Sequence, residues 1–260
     1  MSRKPELDRR RFLVRGAALA GSALLAGCDA VSEQPWVKRV LDSAESLTRL
    51  SQRALIPTRA LAREYAEEDV SALFRANGST NPASAEYERH VAKGFADWRL
   101  GVGGRVQRNL SLSLADLRAM PARTQITRHD CVEGWSCIGK WTGVPLTTVL
   151  DHAGLMKDAR YIVFFCADDL GDTGTEDGLY YESIGMEDAL HPQTILAYEM
   201  NGEMLPVPHG APLRVRVERR LGYKMAKYVM RIEAVSDLQG IRGGRGGFWE
   251  DRGYEWYAGI

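Results

Sequence analysis

The residues that could do chemistry concentrate around Cys131, in the run RHDCVEGWSCIGKWTGVPL spanning residues 128–146. Arg128, His129, Asp130, Glu133, Trp135 and Trp141 surround the thiol, and glycines follow at 134, 139 and 143. Thiolate is the form of cysteine that attacks electrophiles and binds metals, and a nearby cation such as Arg128 favours it. Three fates are open to this thiol: metal ligand, covalent nucleophile or disulfide partner. Glu133, two residues on, could relay protons or could simply hold the loop by hydrogen bonds.

The elements that must position this run are short. Thr124–Thr127 reads as a strand leading into Cys131. Leu114–Met120, stopped by Pro121, and Pro145–Ala153 read as helices. Residues 98–106, 160–166, 213–217 and 228–235 read as strands, and 194–205 as a hairpin turning at Asn201-Gly202. Strands scattered among short helices predict an α+β fold. Residues 74–82 (FRANGSTNP) form a loop rich in turn formers. Before it, 37–55 has helical spacing ended by Pro57, and 59–67 offers a second helical piece. Residues 28–73 are therefore expected to form a helical arm or tether, and 74–260 the main domain. The tail, glycine- and arginine-rich over 240–247 and then aromatic, lacks the P-loop lysine and spacing and reads as an aromatic latch over the core.

The N-terminus reads as an address. Arg9-Arg10-Arg11-Phe12-Leu13 resembles the twin-arginine export motif, and the apolar run 16–27 is too short for a spanning helix, which needs roughly 20 residues. Leu25-Ala26-Gly27-Cys28 resembles a lipoprotein box, with residues 1–27 removed and lipid added to Cys28. Asp29 resembles a signal for retention at the inner membrane. These resemblances imply a periplasmic protein, lipid-anchored through Cys28. The twin-arginine machinery characteristically carries proteins already folded around a cofactor.

Composition narrows the classes. The chain has 260 residues with 34 basic and 34 acidic side chains. Removing residues 1–27, with six basic and two acidic side chains, leaves 28 and 32, a formal charge of −4. That balance argues against nucleic acid as a partner. Beyond Cys28 the cysteines are Cys131, Cys137 and Cys166. An odd number in an oxidising compartment leaves at least one free or metal-bound. No C-x-x-C pair and no C-x-x-C-H haem attachment motif occurs, so a dithiol redox protein or c-type cytochrome is not expected.

CVEGWS followed by WTGVPL resembles the molybdenum-binding region of the sulfite oxidase superfamily, nearer its bacterial periplasmic branch. In order downstream, YYESIGMEDA (180–189), PHGAPLR (208–214) and LGYKMAK (221–227) resemble three further motifs of that branch. The likeness spans roughly residues 74 to 235. It implies a sulfite-oxidase-type molybdopterin fold of mixed sheets with short surrounding helices, carrying one Mo-molybdopterin and no haem. Cys131 falls at the place of the molybdenum ligand, and a soft thiolate suits such a metal. Carried over by match, Arg214 would hold the anionic pterin phosphate. Lys227 also matches, and Met225 and Ala226 would offer main-chain contacts. His209 stands where the branch has Asn, and Cys166 stands at a Thr position beside the pterin. Asn77, Thr80 and Asn81 match a pterin-contact loop.

The resemblance implies oxygen-atom transfer to or from a small-molecule donor or acceptor. Reduction of an S-oxide or N-oxide is favoured, with electrons from a membrane haem or quinone-linked subunit; Glu133 would sit on the metal side and relay protons. The alternatives are a sulfite-oxidising enzyme, a lipid-anchored pterin-binding protein without turnover, and a cysteine hydrolase pairing Cys131 with His129 or His209. A zinc site from Cys131, Cys137 and His129 lacks a spaced fourth ligand.

Overall fold

A computed structural model describes residues 59–171, 174 and 176–260, with scattered positions between 34 and 57. The export motif and Cys28 lie outside the described residues. The chain divides into two compact units, 1–55 and 56–260. In the first, the described positions from Trp36 to Ser51 are helical, and Trp36, Val40, Leu47 and Leu50 are exposed. No helix among the described residues is long and apolar enough to cross a membrane.

The second unit is built on two five-stranded sheets. The first has the order β2 (Leu110–Leu112), β1 (Leu100–Gly104), β10 (Val229–Val235), β5 (Tyr161–Asp169) and β6 (Leu179–Gly185). Its β1–β10 pair is parallel and its other pairs antiparallel. The second runs β3 (Arg123–Asp130), β4 (Ser136–Pro145), β7 (Ile195–Met200) and β8 (Glu203–Met204), with β9 (Arg214–Arg216) also paired to β7. The helices are short: α1 (Ala85–Ala92), α2 (Leu114–Ala119), α3 (Leu146–Ala153) and α4 (Met186–Ala189). Ser113 caps α2 in a reciprocal box with Asp116, and Ser84 caps α1. One core joins the first sheet and α3 to Val144, Leu196 and Leu213; Tyr87, Trp98 and Phe164 are its large members. The mixed architecture agrees with the α+β expectation.

The second helical piece expected at 59–67 does not form. Glu64 instead bridges Thr127 on β3, and the Tyr65 N–H donates to the Ile126 carbonyl at 2.9 Å. The Gln193 side chain accepts from the Ala62 N–H at 2.7 Å and donates to its carbonyl at 3.1 Å. These bonds replace the i→i−4 bonds a helix would make. The segment 59–73 thus runs along β3 inside the main unit, so that unit begins earlier than residue 74.

β4 was absent from the sequence reading, although it is the longest strand. Its inward positions are Cys137, Gly139, Trp141 and Gly143, so two glycines erase the hydrophobic alternation that marks a strand. A Cβ on Gly139 would be a tight contact, 3.0 Å from the Phe74 ring, whereas Gly143 is sterically required. A Cβ on Gly143 would lie 2.2 Å from the Leu196 carbonyl oxygen, at the register shift between β4 and β7. Gly143→Ala is expected to destabilise the domain by about 1–3 kcal/mol, the usual cost of overpacking, read as a lowered urea midpoint.

The aromatic tail closes on the first sheet as expected. Gly247 bridges Glu182, the Phe248 N–H donates to the Tyr181 carbonyl at 2.9 Å, and Phe248 is buried against Tyr180.

Candidate active site

β3 carries the site on its inner face. Period-two alternation buries Gln125, Thr127 and His129 and leaves Arg128 exposed. Cys131 follows the strand in a tight turn: its N–H donates to the Trp135 carbonyl at 2.9 Å and its carbonyl accepts from the Gly134 N–H at 3.1 Å. Gly134 supplies the positive φ of +84° that the turn needs. The thiol is half-buried at the wall of a cavity of about 280 Å³. Asn77, Ser79, Glu133, Asp168, Tyr180, Met225, Lys227, Trp249 and Tyr254 also line this cavity.

Burial pushes the Cys131 thiol up from its ordinary range, and the Glu133 charge adds to this. The expected help from Arg128 is absent. Its guanidinium is on the outer face, paired with Asp130 at 2.9 Å. A free nucleophile needs a lowered pKa, so the raised value speaks against that role; a metal would deprotonate the thiol outright whatever its own pKa. Neither histidine a hydrolase would pair with Cys131 lines the cavity beside it. His129 Nδ1 lies 3.0 Å from Arg216 Nη1 and 3.2 Å from Met225 Sδ, and burial with nearby positive charge holds its pKa well down. Cys131 and Cys137 are both free thiols, and Cys137 points its Sγ toward the Leu73 carbonyl. Among the described residues no three His, Cys, Asp or Glu side chains converge on a metal position, so the zinc arrangement has no support.

Two buried arginines on β9 behave differently. Arg216 has a bidentate partner: Glu218 takes its Nη2 at 2.6 Å and its Nε at 3.0 Å. Arg214 has no carboxylate partner. Nη1 donates to the His209 carbonyl at 3.0 Å, while Nε and Nη2, both buried, have no partner. Both guanidinium groups lie over the Trp141 ring, at 4.9 and 4.4 Å. Burial and the Arg216 charge bring Arg214 down to about 9. A cation with two unmet donors in a protein interior is suited to receive an anion. His209 Nδ1 and Asn77 Oδ1 are likewise buried without partners. These orphaned atoms are donors and acceptors of the kind a polar, phosphate-bearing pterin needs, so their chemistry fits the group, although of the three residues only Asn77 lines the cavity with Cys131.

Lys227 is nearly buried at the cavity wall, and its Nζ donates to the backbone carbonyls of Asn77 at 2.6 Å, Pro208 at 3.1 Å and Ser79. It pins the 77–79 loop beside the site. Met225 lines the cavity, and Gly222 of the same motif is obligatory: a Cβ there would meet His129 Nε2 at 2.5 Å. Ala226 is buried and accepts from the Val215 N–H at 2.8 Å, tying this loop to β9.

The remaining candidates are placed less directly. Glu133 is exposed and accepts from Trp135 Nε1 at 2.9 Å. Cys166 is buried on β5 and lines a different cavity, with Tyr87 and Arg242. Thr80 and Asn81 are exposed and do not line the site; Asn81 Oδ1 accepts from the Ala83 N–H in a turn. Sequence reasoning passed over Ser79, Asp168, Tyr180, Trp249 and Tyr254 as cavity residues. Asp168 was detectable: it continues the buried parity of Ile162, Phe164 and Cys166 on β5, and an acid on a buried face calls for a reason.

Burial and the charges of Arg214 and Lys227 lower His209 to about 4. Between that value and 6.5 the unfolded chain binds more protons, so stability is full above pH 6.5 and is lost as pH falls toward 4. His129 and His191 shift in the same direction. His209→Asn is therefore expected to lessen, not abolish, the fall in denaturation midpoint between pH 6.5 and 4 in cofactor-free protein.

Comparison with known proteins bears on this geometry. The family described as "Oxidoreductase molybdopterin binding domain" matches residues 88–240. A putative protein-methionine-sulfoxide reductase subunit, YedZ1 of Azospira oryzae, is 38% identical over 253 residues, covering 96% of this chain and 87% of that protein. The protein-methionine-sulfoxide reductase catalytic subunit MsrP of Xanthomonas axonopodis pv. citri is 32% identical, with 89% of this chain and 71% of that protein covered. The crystal structure of the sulfane dehydrogenase SoxCD from Paracoccus pantotrophus overlays with a TM-score of 0.49 at 24% identity, over 55% of this chain and 39% of that one.

Proposed function

The chain belongs to the oxidoreductase molybdopterin binding domain family, and from that premise we propose that it reduces an S-oxide by oxygen-atom transfer at Cys131. The observation that carries this reading is the cavity joining Cys131 to Asn77, Met225 and Lys227, with Arg214 buried on β9, outside that lining, and keeping two guanidinium nitrogens without a partner. Cys131 would bind molybdenum, and Arg214, His209, Asn77 and Lys227 would hold the pterin. Bound there, the group supplies the two-electron chemistry and an open position for oxygen. The protein's own part is to orient the group, exclude water and move protons. Reduction of an S-oxide to a sulfide and water consumes two protons, so the cavity needs a proton source.

The direction of transfer rests on the relatives named above, two of which are named for methionine-sulfoxide reduction. Electrons would come from a separate membrane subunit carrying haem or reading the quinone pool. The twin-arginine motif at Arg9-Arg10 and the lipoprotein-like box ending at Cys28 support a periplasmic, inner-membrane-anchored location, which would place the chain beside such a donor. Anaerobic titration of reduced, molybdenum-loaded protein with S-oxides, N-oxides and sulfite tests the reading. Reoxidation of the molybdenum signal by S-oxides is expected. Reoxidation by none of the oxides, or reduction of oxidised protein by sulfite alone, would overturn it.

A further inference from the structure

The cavity wall contains a carboxyl group whose arrangement goes beyond holding a cofactor. Asp168 stands near the end of β5, is almost fully buried and lines the cavity with Cys131. Ser79 Oγ donates to its Oδ2 at 3.0 Å, which fixes the group's rotation. Its Oδ1 is buried and has no partner. A buried oxygen without a partner is costly, and such an atom at a site wall calls for a function.

Apart from Cys131, the other titratable side chains on this wall are committed or exposed. Lys227 spends its N–H groups on three backbone carbonyls. The Tyr180 hydroxyl donates to the Tyr223 carbonyl, and the Tyr223 hydroxyl to the Glu255 carbonyl at 2.5 Å. Glu133 is exposed, and Trp135 Nε1 holds its Oε2. Tyr254 is 41% exposed at the rim. Asp168 alone among them combines burial, an oriented carboxyl and a free oxygen.

We propose that Asp168 is the catalytic acid that protonates the departing oxygen during S-oxide reduction, a role expected of Glu133 from its place beside Cys131. This rests on the oxygen-transfer reading above. In the step, the S–O bond breaks and sulfur regains its lone pair. Two electrons come from the reduced molybdopterin centre. The oxygen leaves as water with two protons, one from the Asp168 carboxyl and one from solvent, and solvent then reprotonates Asp168. The local charges suit this role. Burial raises the carboxyl to about 6 and the Asp169 charge adds to it, while Lys227 and the Ser79 hydrogen bond act in the other direction. Cys166, Tyr87, Tyr180 and Tyr228 are the other titratable groups that feel its charge. Near neutral pH the group therefore passes between acid and carboxylate, as an efficient proton donor must.

The test uses molybdenum-loaded full-length enzyme, methionine sulfoxide and a reduced viologen dye as electron donor. Asp168→Asn keeps the shape but carries no acidic proton. Its kcat is expected to fall about 100-fold, within the usual range for a lost general acid, with KM little changed. Molybdenum and pterin content should match wild type, and the limb of the kcat–pH profile that reports the acid should vanish. Ser79→Ala leaves the carboxyl in place but unheld, and a smaller loss of about 5-fold is expected, typical of a removed orienting partner or less. An Asn variant with near-wild-type kcat and pH profile would overturn the proposal. So would a variant that loses the cofactor, because Asp168 would then hold the pterin. If Asp168→Asn does not fold, an undiminished kcat in Ser79→Ala counts against the proposal. Wild-type enzyme inert toward every S-oxide overturns the oxygen-transfer reading and this proposal with it; active wild type beside an unimpaired Asn variant overturns this proposal alone.

Discussion

Cys131→Ala is expected to cut S-oxide turnover at least about 100-fold, more than typically follows loss of an outer-shell partner. The cause would be loss of one soft donor to the metal, not loss of the cofactor, because the pterin brings two sulfurs of its own. The thiol stands on the turn after β3, whereas the candidate anion site is the guanidinium of Arg214 on β9. The pterin's phosphate would keep its grip when the thiolate is gone. Molybdenum and extracted pterin should therefore both stay near wild type, while the molybdenum spectrum changes. Cys131→Ser separates this from a nucleophilic role. Serine preserves the turn, which is held by the main-chain bonds to Trp135 and Gly134, but offers a hard oxygen in place of a soft sulfur. A changed molybdenum spectrum in both variants supports the ligand role. A molybdenum spectrum unchanged in Cys131→Ala would remove Cys131 from the metal.

How far the sequence reveals this site depends on the kind of signal each residue leaves. Cys131, Arg214 and Lys227 were legible because they sit in local motifs, and a motif survives without knowledge of the fold. β5 and β10 were legible because their inward positions carry continuous apolar residues. β4 was not, since glycines occupy two inward positions, tightly packed at Gly139 and with no room for a Cβ at Gly143. β3 shows the reverse pattern. Its buried positions are Gln125, Thr127 and His129, polar residues whose long-range side-chain partners lie 68 to 96 positions away in sequence. No local pattern can announce such partners. The same reason hid Asp168, whose partner Ser79 is 89 residues distant, and it misassigned 59–67, where helical spacing lost to hydrogen bonds offered by β3 and Gln193. The exposed positions of Thr80 and Asn81 show the limit of motif matching in a loop: Lys227 pins the chain through the main-chain oxygens of Asn77 and Ser79, and the neighbouring side chains turn outward.

The sharpest energetic consequence lies in the two arginines of β9. In cofactor-free protein Arg214 is a fully buried cation with two unmet donors, so removing it should relieve a penalty. Arg214→Met fills much of the same volume without charge, and cofactor-free protein is expected to gain about 1–3 kcal/mol, as when buried charges are replaced by apolar residues. The loss of the bond to the His209 carbonyl and of the contact with Trp141 sets the lower end of that gain. Cofactor binding should move in the opposite direction. Losing a buried charge-assisted anchor costs roughly 2–5 kcal/mol of affinity, enough to leave most of the protein without pterin as purified. Arg216→Met is the control. It strands Glu218 as an unpaired carboxylate in the interior, so it is expected to destabilise the protein by about 3–5 kcal/mol whether or not cofactor is present. Urea midpoints and pterin content measured on both variants give the comparison. A ligand-binding arginine leaves a more stable, emptier protein when removed, while a structural arginine leaves an unstable one. If Arg214→Met is as destabilised as Arg216→Met and keeps its pterin, the anion site is not at Arg214.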